Sequence, residues 1–132
     1  MSGLAHYPVF AVLRAEDLAR ATKFYTDVLG FAVNDRYSVD GMMAFDAGAG
    51  TTVSVYERPG MPAPQNTTLS IPVPADEFEA CIEYLRGKGV ALEEYDIPEI
   101  GLVTVNGVAT LDTGKTAWFK DTEGNIINVV TM

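Results

Sequence analysis

The sequence contains an internal duplication, and this feature constrains the possible folds more than any other. Shifting the chain by 59 residues places the first half on the second with coinciding structural signals. Identical residue pairs under this shift include Asp17 and Asp76, Ala21 and Ala80, Tyr25 and Tyr84, and Gly30 and Gly89. A repeated pattern of this length predicts two copies of one supersecondary unit.

The C-terminal parts of the two copies align with a different shift, of 74 residues. The aligned pairs are Phe45 and Phe119, Gly50 and Gly124, Val53 and Ile127, and Val55 and Val129. The second copy is therefore longer by 74 − 59 = 15 residues, and the extra length lies between about Leu92 and Lys115. This stretch contains Pro98, several glycines and acidic residues, and it predicts a longer strand pair with an excursion.

The first copy begins with a strand, and the apolar residues of Tyr7–Arg14 are typical of one. Asp17 then has the side chain of a helix N-cap, and Gly30 is placed to end the helix in a left-handed conformation. Between them an apolar stripe recurs at helical spacing, which predicts one buried helix face. The stripe consists of Leu18, Ala21, Phe24, Tyr25, Val28 and Leu29.

The second copy has the same order of signals. Thr67–Val73 predicts a strand, Asp76 a helix cap and Gly89 the helix end. Pro72 argues that this strand does not run through the centre of a sheet. Cys81 lies on the apolar stripe of the second helix, and we interpret it as a buried structural thiol.

These signals predict an α+β protein of two tandem βαβββ units. We place the first unit at residues 7–58, a linker at 59–66 and the second unit at 67–131, within a single domain of residues 1–132. Each helix covers one face of its sheet, so the helices lie outside and the open faces form a cupped mixed β-sheet. Functional residues are expected inside the cup, where alternate strand residues point.

Composition excludes several classes of function. The net charge of −9, from 18 acidic and 9 basic residues, disfavours nucleic acid as a partner. No apolar run is long enough to span a membrane, and the N-terminal residues do not have the pattern of a signal peptide. A single cysteine fits a reducing compartment. We therefore expect a cytoplasmic protein with neither nucleic acid nor membrane as a partner.

Two segments carry a family resemblance. FYTDVLGF (Phe24–Phe31) and AWFKDTEGNIINVV (Ala117–Val130) resemble the signature segments of the vicinal-oxygen-chelate superfamily. That superfamily includes glyoxalase I, bleomycin-resistance proteins, fosfomycin-resistance enzymes and extradiol dioxygenases. The resemblance implies the fold and the position of the pocket. It does not specify a reaction, because the fold carries lyases, isomerases, dioxygenases and drug-binding proteins.

The resemblance also implies where a divalent metal would bind, with one ligand from the first strand and one from the last strand of each unit. Those positions fall on Phe10, Ser54, Leu69 and Asn128. Phenylalanine and leucine have no donor atoms, and serine and asparagine bind divalent ions weakly. His6, the one histidine, lies roughly 13 Å of strand from Phe10 and is interpreted as a surface residue. We expect no metal and no cofactor.

The predicted site binds a small organic ligand. Its residues are Phe10, Ser54, Tyr56, Leu69, Trp118 and Asn128. We expect binding between aromatic walls, with hydrogen bonds from Ser54 and Asn128, and action by sequestration.

The catalytic residues are unassigned, and two alternatives stay open. One is a lyase, isomerase or dioxygenase, either metal-dependent or using Tyr56 or Glu57 as a base. The other is a regulatory module that binds a partner protein. The resemblance further implies a homodimer, and it leaves open whether one chain or two form each cup.

Overall fold

The computed structural model describes residues 3–132 and shows two compact units, Met1–Met61 and Pro62–Met132. The boundary between them falls inside the segment predicted as a linker. The two units are described separately below, as unit 1 and unit 2.

Unit 1 follows the predicted order of strand, helix and three strands. Its elements are β1 (Ala11–Ala15), α1 (Leu18–Lys23) continuing into a π-helical turn (Phe24–Val28), β2 (Ala32–Val33), β3 (Met42–Asp46) and β4 (Thr52–Glu57). The sheet order is β1-β4-β3-β2, with β1 and β4 parallel and the other pairs antiparallel. A short 3₁₀ turn, Gly48–Gly50, joins β3 to β4, as expected of a tight hairpin connection.

Helix α1 begins and ends as its sequence predicts. The Asp17 carboxylate accepts from the backbone N–H of Arg20 at 3.1 Å and so satisfies one of the free donors of the first turn. In the π-helical turn, the N–H of Leu29 donates to the carbonyl of Phe24, five residues earlier, at 3.1 Å. Gly30 then takes a positive φ of 77°, which is cheap only for glycine.

One face of the unit 1 sheet is covered by α1. Tyr25 is fully buried and stacks on Phe45 of β3, with ring centroids 5.4 Å apart. Val53 and Val55 of β4 are buried on the same side as Phe45, because cross-strand partners share a face. The opposite side is called the open face of unit 1.

Unit 2 has the same core with more strands. Its elements are β5 (Thr67–Val73), α2 (Phe78–Gly87), β6 (Asp96–Ile97), β7 (Leu102–Val105), β8 (Val108–Leu111), β9 (Gly114–Lys120) and β10 (Ile126–Thr131). The sheet order is β5-β10-β9-β8-β7-β6. Strands β5 and β10 are parallel, as β1 and β4 are in unit 1. Pro72 lies in β5, at the edge of this sheet, where a missing N–H costs little.

The additional residues of unit 2 lie where the two alignment shifts predict them. Leu92 bridges to Phe119 as Val33 pairs with Phe45 in unit 1. The two pairs correspond under the shifts, since 33 + 59 = 92 and 45 + 74 = 119. The extra length therefore follows Leu92, and it forms β6 and β7 with a 3₁₀ turn, Pro98–Ile100, between them.

Two predictions for the second helix are wrong in detail. Asp76 does not cap α2, because it lies in a 3₁₀ turn, Ala75–Glu77, and α2 starts at Phe78 with no side-chain cap. Cys81 is half-buried and not fully buried, since it lies beside the stripe formed by Phe78 and Ile82.

The open face of unit 2 is the side of its sheet opposite α2. Within residues 3–132 no helix is long and apolar enough to cross a membrane.

Candidate functional site

The open face of unit 1 carries three of the predicted site residues. Ser54 pairs with Val12 of β1 and Ala44 of β3, on the side opposite the buried valines of β4. Tyr56 lies two residues further along β4, so its side chain points to the same face. Phe10 precedes Val12 by two residues and is placed on this face by the same alternation. The structure therefore groups Phe10, Ser54 and Tyr56 on one surface.

The aromatic residues of this face have defined neighbours. Phe10 meets Tyr37 edge to face, with ring centroids 5.2 Å apart, and stays 39% exposed. The Arg58 guanidinium lies 4.2 Å from the centre of the Tyr56 ring, at cation–π distance. Ser54 is only 1% exposed. A ligand on this face therefore reaches the rings of Phe10 and Tyr56 more readily than the hydroxyl of Ser54.

The open face of unit 2 carries Trp118 and Asn128, which are direct cross-strand partners on β9 and β10. The indole Nε1–H of Trp118 donates to the hydroxyl of Thr67 at 3.2 Å. Tyr95 packs edge to face against the indole, with ring centroids 5.4 Å apart. The indole is thus held from two sides, and its orientation is fixed before any ligand arrives.

Asn128 has a side-chain oxygen that lacks a protein partner. Its Nδ2 donates to the hydroxyl of Thr116 at 3.3 Å, while its Oδ1 is buried and makes no hydrogen bond. Buried polar atoms are nearly always hydrogen-bonded, and an exception calls for an explanation. The Thr116 hydroxyl can donate or accept, so the amide can offer either its oxygen or its nitrogen to a ligand.

Leu69 is the one predicted site residue that does not lie on an open face. It pairs with Ile127, which is fully buried, and cross-strand partners share a face. Ser70 pairs with Asn128 as Val12 pairs with Ser54, so the counterpart of Phe10 in unit 2 is Thr68.

The 59-residue shift misplaced the first-strand position of unit 2 by one residue, because two residues separate the end of β5 from Asp76. Only one residue, Glu16, separates β1 from Asp17. The additional residue belongs to the 3₁₀ turn, which the helical periodicity of the sequence does not reveal.

Tyr95 is the titratable group at this site with a perturbed pKa. Burial raises the pKa of its phenol above the ordinary value of 10.0, and the nearby Glu93 carboxylate raises it further, while Lys120 lowers it. Lys120 is itself engaged with Glu93, at 3.4 Å between Nζ and Oε1. Tyr95 is therefore a neutral hydrogen-bond donor at pH 7 and is poorly suited to act as a base.

Two acidic residues near strand ends have structural roles. Glu57, a candidate base in the sequence, accepts from the N–H of Leu18 at 2.9 Å and supports the start of α1. Asp121, only 5% exposed, accepts from the backbone N–H groups of Glu123 and Asn125 in the turn between β9 and β10.

The residues at the family's metal positions do not fit a divalent ion. Phe10 and Thr68 occupy the first-strand positions, and Ser54 and Asn128 the last-strand positions. A divalent site needs three or four converging donors that include imidazoles, thiolates or carboxylates. Over residues 3–132, no group of three or more His, Cys, Asp or Glu residues is placed to hold a metal.

Sequence reasoning missed Thr116 and Tyr37 at these faces. Thr116 could have been found, because it alternates with Trp118 on β9 and so shares its face. Tyr37 lies in an irregular loop before β3, and no periodic signal places it beside Phe10.

The family model of the Glyoxalase/Bleomycin resistance protein/Dioxygenase superfamily matches residues 4–129. The chain belongs to this superfamily. The match spans both units, which agrees with the duplication of the sequence.

Solved structures with the same fold include proteins of different function. One is a glyoxalase/dioxygenase from Nostoc punctiforme, with a TM-score of 0.70 at 14% identity, covering 99% of this chain and 94% of that chain. TnmS3, an antibiotic binding protein from a Streptomyces species, has a TM-score of 0.69 at 20% identity, covering 99% of this chain and 98% of that chain.

FosX, a fosfomycin resistance protein from Listeria monocytogenes solved with Mn(II), has a TM-score of 0.63 at 19% identity, covering 98% of this chain and 90% of that chain. At these identities the similarities show the fold alone. No curated protein matches the chain.

Proposed function

We propose that this superfamily member binds a small, flat organic molecule on its open sheet faces without a metal, and acts by sequestering it. The observation that carries the proposal is the buried Oδ1 of Asn128, which makes no hydrogen bond and lies beside the fixed indole of Trp118. A ring stacked on the indole with a donor group directed at Asn128 satisfies both features. The open face of unit 1 carries an aromatic surface of its own, formed by the rings of Phe10 and Tyr56.

The chemistry of the site supports binding over catalysis. The four metal positions hold side chains unsuited to a divalent ion, and the raised pKa of Tyr95 leaves its phenol protonated. Glu57 is occupied at the start of α1. Binding needs affinity but no general base. TnmS3, which shares the fold at 20% identity, is an antibiotic binding protein, and this function is consistent with the proposal.

The test uses Trp118, the single tryptophan of the chain, as a reporter located in the site. Purified protein is titrated with a panel of flat aromatic compounds that carry hydrogen-bond donors, and the intrinsic fluorescence is recorded. Stacking on the indole should change its emission saturably with ligand concentration. The compound that binds best is then used with variants.

Asn128→Leu keeps the side-chain size and removes the amide. One hydrogen bond contributes about 0.5–1.5 kcal/mol, so affinity should fall roughly two- to tenfold. Gln65→Leu is the matched control, because it removes an amide from an exposed position, and it should leave affinity unchanged. If no compound of the panel changes the emission, or if both variants bind equally well, the proposal is wrong.

The enzyme alternative predicts a different result. Elemental analysis of protein purified without chelator should find no stoichiometric transition metal if the binding proposal is right. A metal present at one equivalent per chain would favour a metal-dependent lyase, isomerase or dioxygenase.

We further propose that the protein is a cytoplasmic homodimer. The single Cys81 fits a reducing compartment, and the fold family suggests the dimer. Light scattering should give twice the chain mass, and a mass near 14.2 kDa would contradict the dimer.

A further inference from the structure

Unit 2 has a groove on the α2 side of its sheet, opposite the face that carries Trp118. A six-stranded sheet is roughly 24 Å across at about 4.8 Å per strand spacing, while one helix covers about 10 Å of it. Helix α2 packs on β10, the second strand in the sheet order, so β8 and β7 extend beyond it. The resulting groove has a volume of about 520 Å³ and exists because of the additional strands of unit 2.

The floor of the groove is aliphatic. Ile82 of α2 and Val108 of β8 line it from inside, together with Val103 and Val105 of β7. Ile82 is 1% exposed, but Val103 and Val105 are 43% and 75% exposed. Covering these two valines with an apolar group would be favourable, because exposed aliphatic surface is costly in water.

The charges of the residues that line the groove do not cancel. Lys115 and Glu79 form an ion pair at 3.0 Å and neutralise each other. Arg86 also lines the groove, so the lining carries two positive charges and one negative charge, a net of +1, in a chain of net charge −9. A positive groove on an otherwise acidic protein favours an anionic ligand.

Arg86 is held in place by the turn between β7 and β8. Its Nη2 donates to the carbonyl of Asn106, a residue with a positive φ of 52°. The guanidinium has five N–H donors, so this bond leaves others that can bind a carboxylate. Anchoring the side chain lowers the entropy lost when it binds a ligand.

We propose that this groove is a second binding site, for a small aliphatic carboxylate. The carboxylate binds Arg86, and the hydrocarbon chain lies along Ile82, Val103 and Val105. The volume falls within the range of small-molecule pockets, which is about 300–1,000 Å³. The site is on the other side of the unit 2 sheet from Asn128, and it is independent of the function proposed above.

The test uses the full chain and decanoate as the probe, with decanol and decyltrimethylammonium as matched ligands of other charge. Isothermal titration calorimetry should show saturable binding of decanoate, at least fivefold tighter than either comparison ligand. In ¹⁵N NMR spectra, decanoate should shift the amides of Val103, Val105 and Val108 and leave that of Asn128 unchanged.

Two variants and one control test the proposed groove site. Arg86→Gln should weaken decanoate binding about fivefold, whereas Lys88→Gln, which removes a nearby positive charge outside the groove, should not. Val105→Glu places a carboxylate in the groove and should abolish binding. Val105 is highly exposed, so this variant should fold, and circular dichroism checks that it does.

Several results would overturn the proposal. Equal affinity for decanoate and decanol would remove the role of charge, and equal effects of the Arg86 and Lys88 variants would remove the role of Arg86. Amide shifts confined to the open face of unit 2 would place decanoate at the other site.

Discussion

The turn between β9 and β10 offers a sharp test of the structural reasoning, because its stability depends on one buried carboxylate. Asp121 Oδ1 accepts from the backbone N–H groups of Glu123 at 2.8 Å and Asn125 at 2.9 Å. Its Oδ2 accepts from the Asn125 side-chain amide at 2.8 Å. Asn125 is fully buried, so water cannot replace this acceptor.

We expect Asp121→Ala to lower the free energy of unfolding by at least about 3 kcal/mol. Each buried donor left without a partner costs about 1–3 kcal/mol, and this substitution affects three of them. Asp121→Asn keeps an oxygen for the two backbone donors and loses the acceptor for the Asn125 side-chain amide. Its cost should be about 1–2 kcal/mol.

The measurement is urea unfolding followed by the fluorescence of Trp118, which lies on β9 close to the turn. Asp112→Ala, at an exposed position between β8 and β9, is the control and should change stability by less than about 0.5 kcal/mol. A loss below about 1 kcal/mol for Asp121→Ala, with an unchanged dependence on urea, would refute the assignment of Asp121 as the acceptor that holds the turn.

Three further predictions test the helix starts, a titration and a tight turn. Asp17→Ala should cost about 1 kcal/mol of unfolding free energy in urea titrations, because it removes a cap, whereas Asp76→Ala should cost less than about 0.3 kcal/mol. Burial raises the pKa of Tyr95 in the folded state, so the unfolded chain loses its phenol proton first; this contribution to stability is present below pH 10.0 and is lost as pH rises through the raised pKa. Tyr95→Phe should therefore reduce the fall in unfolding free energy above pH 10.0. Identical pH profiles of stability for the variant and the unchanged protein would contradict the raised pKa. Gly107→Ala should cost about 2 kcal/mol or more in thermal unfolding, because its added Cβ would lie 2.6 Å from a leucine side chain at positive φ. Gly101→Ala has positive φ but open space, so it should cost only about 1 kcal/mol, and equal losses would refute the steric reasoning.

Unit 1 could be predicted from sequence because its signals are local and agree with one another. Asp17 caps the helix through a bond to a residue three positions away, and Gly30 ends it with a positive φ. The strand residues Ser54 and Tyr56 alternate with buried valines, so their face follows from a period of two.

Unit 2 was predicted less well, because the features that distinguish it from unit 1 depend on contacts between residues distant in sequence. The pairing of β6 with β7 and the groove beside α2 result from the added strands, which only the difference between the two shifts indicated. Leu69 was placed on the wrong face because one additional residue before Asp76 reverses the alternation. The buried oxygen of Asn128 depends on how its neighbours pack, and no pattern of residue types reveals it.

The π-helical turn at Phe24–Val28 makes the length of this segment more important than its individual residues. Removing one residue inside the turn would let the Leu29–Phe24 hydrogen bond close over the four residues of a regular helix, and the side chains between them would be respaced at about 100° per residue. The stacking of Tyr25 on Phe45 would then be disturbed, because Tyr25 lies inside the turn. Exchanges of one apolar side chain for another leave this spacing intact, so homologous proteins should vary here in residue type while keeping the number of residues.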